Sequence, residues 1–152
     1  DLTGRETIEV VKGLRKEQAR RESELTHLFG LESELPKRIR AMSGGTRQKL
    51  SVLLACMYDP ELLICDEPTA GLDPLANTRL KELLLSLREQ ERTVLLTTHI
   101  MSDLDEIADN VVVLLEGHVR FAGPVRELKL ATGEPRLEVA VARLLEQAKK
   151  AA

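Results

Sequence analysis

A short apolar run that ends in two carboxylates restricts the fold of this chain more than any other feature. Residues 62–65, Leu-Leu-Ile-Cys, lie between Pro60 and Pro68 and are followed at once by Asp66 and Glu67. A continuous apolar run of this length is typical of a buried strand in a parallel sheet. Open α/β sheets bind ligands at the carboxyl ends of their strands. The sequence therefore predicts an α/β fold with an acidic site at one sheet edge.

The two carboxylates, Asp66 and Glu67, are predicted to have different roles. Neighbouring strand residues point to opposite faces, so Asp66 and Glu67 cannot do the same job unless the chain turns there. Mg²⁺ prefers one or two carboxylates together with water and phosphate oxygens. We therefore assign Asp66 to the metal and Glu67 to an attacking water. The alternative is an acidic strand end that merely caps the next turn, because Asp-Glu pairs are common on protein surfaces.

A glycine turn opens a predicted helix ahead of this strand. Residues 43–45 are Ser-Gly-Gly, and residues 46–59 then carry apolar side chains at helical spacing. These side chains are Leu50, Leu53, Leu54 and Met57. Free amides at a helix N-terminus, with glycines that allow close approach, can bind an anion. The alternative interpretation is that Ser43 only caps the helix after a flexible turn.

Four segments together resemble the motifs of ATP-binding cassette (ABC) proteins, and they occur in the family's order. They are the signature loop at residues 42–46, the Walker B strand at 62–67, the D-loop at 70–73 and the switch histidine at His99. The resemblance continues through residues 109–123 and covers nearly all of the chain up to about residue 131. The chain is identified as a member of this family, which implies an α/β fold of the P-loop NTPase type, a parallel sheet flanked by helices plus a helical subdomain.

The resemblance implies a composite site that two copies of the domain share. Ser43 and the amides of Gly44 and Gly45 would contact the γ-phosphate of ATP held by a second nucleotide-binding domain. Met42 stands where the family usually has leucine, and Thr46 where it often has glutamine. Neither departure affects the backbone donors.

The other motif residues would act on phosphoryl transfer. The resemblance implies that Asp66 binds Mg²⁺, that Glu67 is the general base or orients the water, and that His99 hydrogen-bonds the γ-phosphate. Such catalysis relies on positioning and charge neutralisation. A predicted strand over residues 93–98 delivers His99 to the same sheet edge as the acidic pair. Taken alone, a single histidine is more often structural.

The D-loop aspartate carries two compatible interpretations. The resemblance implies that Asp73 couples the two sites across the dimer. Asp73-Pro74 also predicts an N-cap with proline at the first helical position. The helix predicted from Pro74 to about residue 90 carries a leucine stripe that should pack on the sheet. The stripe consists of Leu80, Leu83, Leu84 and Leu87.

The chain contains no Gly-x-x-x-x-Gly-Lys-Ser/Thr phosphate loop. Residues 1–6 resemble the stretch that follows the Q-loop glutamine, so we expect the phosphate loop to precede this stretch. In the family its strand lies between the strand that leads to His99 and the strand at residues 111–115. We therefore expect an open slot in the sheet, so that residues 1–152 alone would be partly disordered, would be re-registered, or would close the gap by pairing with another chain. We also expect residues 1–152 alone not to bind ATP specifically.

Smaller-scale patterns complete the domain prediction. A capping box, Thr3 with Glu6, should open a helix, and a charged helical stretch should follow to Phe29, with Gly30 as its stop. The helical subdomain should occupy about residues 3–59, the catalytic core about residues 60–131 and a C-terminal helix about residues 134–150. Cys56 and Cys65 lie on apolar elements without metal-ligand spacing, which predicts buried reduced thiols.

Composition and charge argue against nucleic-acid binding. The formal net charge is −3, and the chain has no tryptophan and one tyrosine for base stacking. The basic cluster around Lys16 is interleaved with glutamates, which favours a solvated helical face. His27 and His118 have no partner in the motif set and are assigned to surface or turn roles.

The resulting functional prediction is the ATP-binding and ATP-hydrolysing subunit of an ABC transporter. Its partners would be a second nucleotide-binding domain and a transmembrane permease, at the cytoplasmic face of the cell membrane. One alternative is a non-transport ABC ATPase of DNA repair, chromosome organisation or translation, and another is a non-catalytic interaction fragment. Residues 71–74, Gly-Leu-Asp-Pro, favour the transporter branch over the translation type, which usually has Asn-His-Leu-Asp there.

Overall fold

The computed structural model describes residues 1–15 and 17–150, and Lys16 of the basic cluster lies outside them. The chain forms two compact units, Asp1–Thr97 and Thr98–Ala152. The first unit contains α1 (Gly4–Leu14), α2 (Glu22–Leu28), a 3-10 turn (Ile39–Ala41), α3 (Gly44–Cys56), β1 (Leu62–Asp66), α4 (Pro74–Glu89) and β2 (Thr93–Thr97). The second contains α5 (Met101–Ile107), β3 (Asn110–Leu115), β4 (His118–Pro124), α6 (Val125–Thr132) and α7 (Leu137–Lys150).

The first helix begins at the predicted capping box. The Oγ1 of Thr3 accepts the Glu6 N–H at 3.2 Å, and the Thr3 N–H donates to Glu6 Oε2 at 2.7 Å. The helix ends at Leu14, and the charged helical stretch predicted to follow it begins only at Glu22 and ends at Leu28, with Phe29 as its C-cap. The connecting residues 15–21 contain Ala19 as their one apolar residue, and they therefore offer no stripe that a helix could bury.

The signature helix starts earlier and ends earlier than predicted. It spans Gly44–Cys56 instead of residues 46–59. Asp59 has a φ of 53° and precedes Pro60, and both features oppose continuation of a helix. Leu50, Leu53 and Met57, which recur at the predicted helical spacing, are buried. In α4 the whole leucine stripe is buried, which confirms its predicted packing role.

Strands β1 and β2 are parallel, and the strand predicted at 93–98 ends one residue earlier, at Thr97. The prediction that β1 is buried on both faces is wrong. Leu63 is 3% exposed, whereas Leu62 and Ile64 are 53% and 67% exposed. The reason is that α4 packs against β2 from one side, while the described residues leave the other face uncovered. Alternate strand residues therefore meet core and solvent in turn.

The remaining strands form a separate antiparallel hairpin in the second unit. Glu116 and Gly117 make the turn of this hairpin, with φ values of 51° and 76°. Within the described residues β2 pairs with β1 and β3 pairs with β4. The expected slot between the strand that leads to His99 and the strand at residues 111–115 stays a prediction.

One carboxylate joins the three helices of the second unit. Asp105 on α5 accepts the Leu137 N–H at 3.1 Å and forms an ion pair with Lys129 on α6. The Lys129 ammonium and the Leu137 amide lower the pKa of Asp105. The C-terminal helix begins at Leu137, later than the predicted residue 134, and Leu137 and Val141 are buried.

The two cysteines differ in burial. Both are free, but only Cys56 is fully buried, so the prediction of two buried thiols holds for Cys56 and is wrong for the half-buried Cys65. Burial raises the pKa of Cys56 from 9.0 to about 12. Because the pKa is higher in the folded state, burial of the thiol favours folding fully below about pH 9. This contribution declines as the pH rises toward 12.

We expect Cys56 to resist alkylation in the native protein. Three pKa units correspond to roughly 1000-fold less thiolate, and burial slows the reaction further. Iodoacetamide labelling at pH 8, read by peptide mass spectrometry, should modify Cys65 first and Cys56 only after denaturant is added. Equal labelling of both thiols without denaturant would contradict the buried environment of Cys56.

Candidate active site

The acidic pair lies where β1 ends, beside a threonine of β2. Asp66 is the last residue of β1 and pairs in register with Thr97. The Thr97 hydroxyl donates to the Asp66 carboxylate, and the Thr97 carbonyl accepts the Glu67 N–H at 3.0 Å. Both acidic residues are exposed. Thr97 therefore orients the predicted metal ligand and also anchors the backbone of the predicted base.

Sequence reasoning missed Thr97. The signal available in the sequence was indirect, because the register that aligns Thr97 with Asp66 depends on pairing between strands 31 residues apart. A polar residue at the carboxyl end of a second predicted parallel strand was the one clue, since such ends share an edge.

The backbone turns at the second carboxylate. Glu67 has a φ of 45°, and its carbonyl accepts the Ala70 N–H at 3.1 Å. A side-chain-bearing residue in the left-handed region costs on the order of 1–2 kcal/mol, and such strain concentrates at functional sites. The turn satisfies the condition under which Asp66 and Glu67 can serve one site, because strand alternation no longer separates them.

The signature loop is the N-terminus of α3. Ser43 is the N-cap, and its Oγ accepts the Thr46 N–H at 3.0 Å. The Oγ1 of Thr46 lies 2.8 Å from the same hydroxyl. Gly44 and Gly45 occupy the first helical positions, where amide N–H groups have no acceptor within the helix. The capping interpretation of Ser43 is therefore correct, and it is compatible with anion binding because a hydroxyl can accept and donate together.

Both carboxylate oxygens of the D-loop aspartate, Asp73, have bonding partners. Asp73 Oδ1 accepts the Ala76 N–H at 2.9 Å, which confirms the predicted N-cap of α4, with Pro74 at the start of the helix. Asp73 Oδ2 lies 2.7 Å from the ammonium of Lys49 on α3. Lys49 first, and the Ala76 amide second, lower the pKa of Asp73. Lys49 was missed in the sequence because it is 24 residues from Asp73.

All three histidines have exposed side chains. His99 is exposed in the second unit, two residues after the end of β2, and its catalytic role stays a prediction. His27 and His118 are exposed. His27 Nδ1 lies 3.1 Å from a Glu32 carboxylate oxygen, and His118 contacts the Glu116 carbonyl, as expected of surface and turn residues.

The donor set fits magnesium and nucleotide phosphates better than a metal held by protein alone. Among residues 1–15 and 17–150, no three His, Cys, Asp or Glu side chains converge as a metal site. Asp66 supplies one exposed carboxylate, which suits Mg²⁺ because this ion takes most of its ligands from water and phosphate. The exposed Ser43 hydroxyl and the Gly44 amide suit phosphate oxygens. None of the described helices has both the length and the apolar composition for crossing a bilayer.

Comparison with protein families agrees with this chemistry. A family model described as "AAA domain, putative AbiEii toxin, Type IV TA system" matches residues 4–104, which is more than half of the chain. The matched stretch contains the signature loop, the acidic pair and His99. The match places the chain in the class of AAA domains.

Individual relatives and a solved structure give a more specific family than this domain match. A daunorubicin resistance ATP-binding protein of Streptomyces coeruleorubidus is 36% identical over 144 residues, which are 91% of this chain and 45% of that protein. A Nod factor export ATP-binding protein of Rhizobium meliloti is 40% identical over 107 residues, which are 70% of this chain and 29% of that protein. The chain thus spans less than half the length of either relative.

A solved ATP-binding subunit of an ABC transporter has the same fold. The TM-score is 0.86 at 30% sequence identity, over 95% of this chain and 63% of that structure. The chain belongs to the family of ABC transporter ATP-binding proteins. The predicted fold class, an α/β ABC ATPase, is confirmed.

Proposed function

We propose that the protein containing this chain is the ATP-hydrolysing subunit of a transporter, and that it powers translocation by a membrane permease. The observation that carries the proposal is the arrangement at the end of β1. There an exposed Asp66, oriented by Thr97, directly precedes Glu67 in a strained turn. Backbone strain of this kind concentrates at functional sites, and phosphoryl transfer relies on positioned carboxylates of this type.

Each acidic residue has its own role in this proposal. Asp66 holds Mg²⁺, directly or through water, and Thr97 keeps its carboxylate in place. Glu67 orients the attacking water and accepts its proton. His99 donates a hydrogen bond toward the γ-phosphate. Bound magnesium neutralises charge on the phosphates, and the protein contributes position and hydrogen bonds.

The signature loop serves a nucleotide held by a second copy of the domain. Ser43 keeps Thr46 N–H as its capping partner and donates its hydroxyl hydrogen outward. The amides of Gly44 and Gly45 point their partial positive charge at the same phosphate. The active unit is therefore a dimer of nucleotide-binding domains. About residues 3–59 form its helical subdomain, about residues 60–131 its catalytic core and Leu137–Lys150 its C-terminal helix.

The partner of this dimer is a membrane permease, which holds it at the cytoplasmic face of the membrane. Two relatives are named for drug resistance and for export of a Nod factor, which supports transport over the DNA-repair and translation alternatives. A non-catalytic role is disfavoured because the predicted base, Glu67, and the predicted switch histidine, His99, are both present.

The test uses the full-length protein, purified with and without its co-expressed membrane partner. We expect Mg²⁺-dependent ATP hydrolysis that increases when the permease is present, and that DNA or ribosomes do not stimulate. EDTA should abolish the activity. Hydrolysis stimulated by DNA or ribosomes alone would select the non-transport branch, and no hydrolysis under any of these conditions would refute the proposed activity.

A further inference from the structure

Three contacts join the signature helix to the D-loop within one protomer, and we call them the latch. The latch consists of the approach of Gly45 to Gly71, the ion pair Lys49–Asp73 and the hydrogen bond from Gln48 Nε2 to Pro68 O at 3.1 Å. All three come from the first two turns of α3. All three reach residues 68–73, the segment that directly follows the acidic pair.

The two signature glycines differ in what surrounds them. A Cβ on Gly44 would meet no atom within 4 Å, so this position is open toward the solvent. A Cβ on Gly45 would lie 2.6 Å from the carbonyl oxygen of Gly71, a distance that real Cβ atoms do not adopt. Gly45 is therefore required by packing against the D-loop, whatever binds at the helix end.

The ion pair is better placed than an ordinary surface pair. The side chains of Lys49 and Asp73 are 20% and 53% exposed, and the Asp73 carboxylate is already fixed by the Ala76 N–H. Exposed pairs of flexible side chains are worth little because both partners must be ordered. Here one partner is held by a helix cap, and the other lies beside two further contacts. The pair therefore restrains geometry at a low cost in side-chain entropy.

We propose that Lys49, supported by Gln48 and Gly45, is a positioning residue that couples the signature loop to the proposed general base, Glu67. The path is short, because the Glu67 carbonyl accepts the Ala70 N–H and the Thr69 carbonyl accepts the Leu72 N–H. A displacement of α3 would therefore move residues 68–73 and, through this tight turn, Glu67. This inference rests on the proposed function, in which the signature loop and Glu67 serve different nucleotides. The latch then connects the two composite sites of the dimer.

The test is a double-mutant cycle in the full-length protein with its membrane partner. The variants are Lys49→Met, Asp73→Asn and their combination, because asparagine keeps the N-cap and removes the charge. We expect each single variant to lower kcat about 5- to 20-fold and the ATP Hill coefficient toward 1. The double variant should be no worse than either single variant, because both remove the same contact. Lys49→Arg should retain kcat within about twofold, since the pair persists.

Further variants separate coupling from folding. Lys37→Met, which removes a surface pair with Glu34, should leave kcat and the Hill coefficient unchanged. Gly45→Ala should lower the Hill coefficient as Lys49→Met does, with a melting temperature still showing a folded protein. Single effects that multiply in the double variant, or an unchanged Hill coefficient in Lys49→Met, would overturn the inference. Wild-type protein without hydrolysis would instead refute the proposed function, and the inference with it.

Discussion

Replacing Glu67 by glutamine in the full-length protein is expected to lower steady-state ATP hydrolysis about 10²- to 10⁴-fold, the range typical of a lost general base. Glutamine has nearly the same shape and the same tolerance of the left-handed turn, so the backbone geometry at residue 67 should persist. It cannot accept a proton from water. Binding of Mg²⁺ and ATP should therefore remain within about threefold of wild type, since an interaction of the transition state alone is lost. Phosphate release and equilibrium nucleotide binding measure the two quantities.

A matched control lies at the other end of the same strand. Glu61 is exposed, directly precedes β1 and has no part in the acidic edge. The change Glu61→Gln removes the same charge and should leave the hydrolysis rate within about twofold of wild type. If Glu67→Gln retained steady-state hydrolysis, Glu67 would not be the base. If both variants lost activity equally, the loss would reflect net charge and not position.

Truncating Leu80 to alanine is expected to lower the free energy of unfolding by about 2–5 kcal/mol, the range for deletion of a buried leucine side chain. Leu80 is completely buried in the stripe of α4. Its removal takes apolar contacts away and leaves a cavity that neighbouring leucines fill only in part. Urea denaturation followed by circular dichroism measures the change, and the slope of the transition should stay constant.

The same helix supplies the control for this prediction. Leu75 lies one and a half turns earlier in α4 and is 59% exposed. Leu75→Ala should change the free energy of unfolding by no more than about 0.5 kcal/mol, because little apolar surface is released. An equal loss in both variants would mean that Leu75 is covered in the folded protein, and the burial assigned to α4 would then be wrong.

Local signals in the sequence predicted the helices well. The capping box of α1, the N-cap and proline of α4 and the leucine stripe of α4 all depend on residues within about four positions of each other. The signature helix begins at Gly44, two residues before its predicted start at residue 46. Glycine is a weak helix former, so Gly44 and Gly45 are more typical of a turn.

The acidic edge was predictable for the same reason, but its supporting residues were not. Asp66 and Glu67 follow an apolar run directly, and that pattern is readable in the chain. Thr97 and Lys49 act on residues 31 and 24 positions away. Neither the spacing of apolar residues nor a helix cap predicts such a contact. It depends on which strand and which helix turn become neighbours in the folded chain.

Burial of β1 was misjudged for a further physical reason. An apolar run predicts that a strand can be covered on both faces, but coverage depends on what packs there. In the described residues α4 covers one side of the β1–β2 pair, and Ile64 and Leu95 on the other face are more than half exposed.

The sequence by itself determined the class of the protein, the helix caps, the leucine core of α4 and the candidate residues for phosphate, metal and water. Each of these follows from short-range spacing and side-chain chemistry. The tertiary structure alone decided the left-handed turn at Glu67, the threonine that orients Asp66 and the latch between α3 and the D-loop. Those features arise from contacts between segments distant in the chain, whose free energy is gained only when the elements pack together.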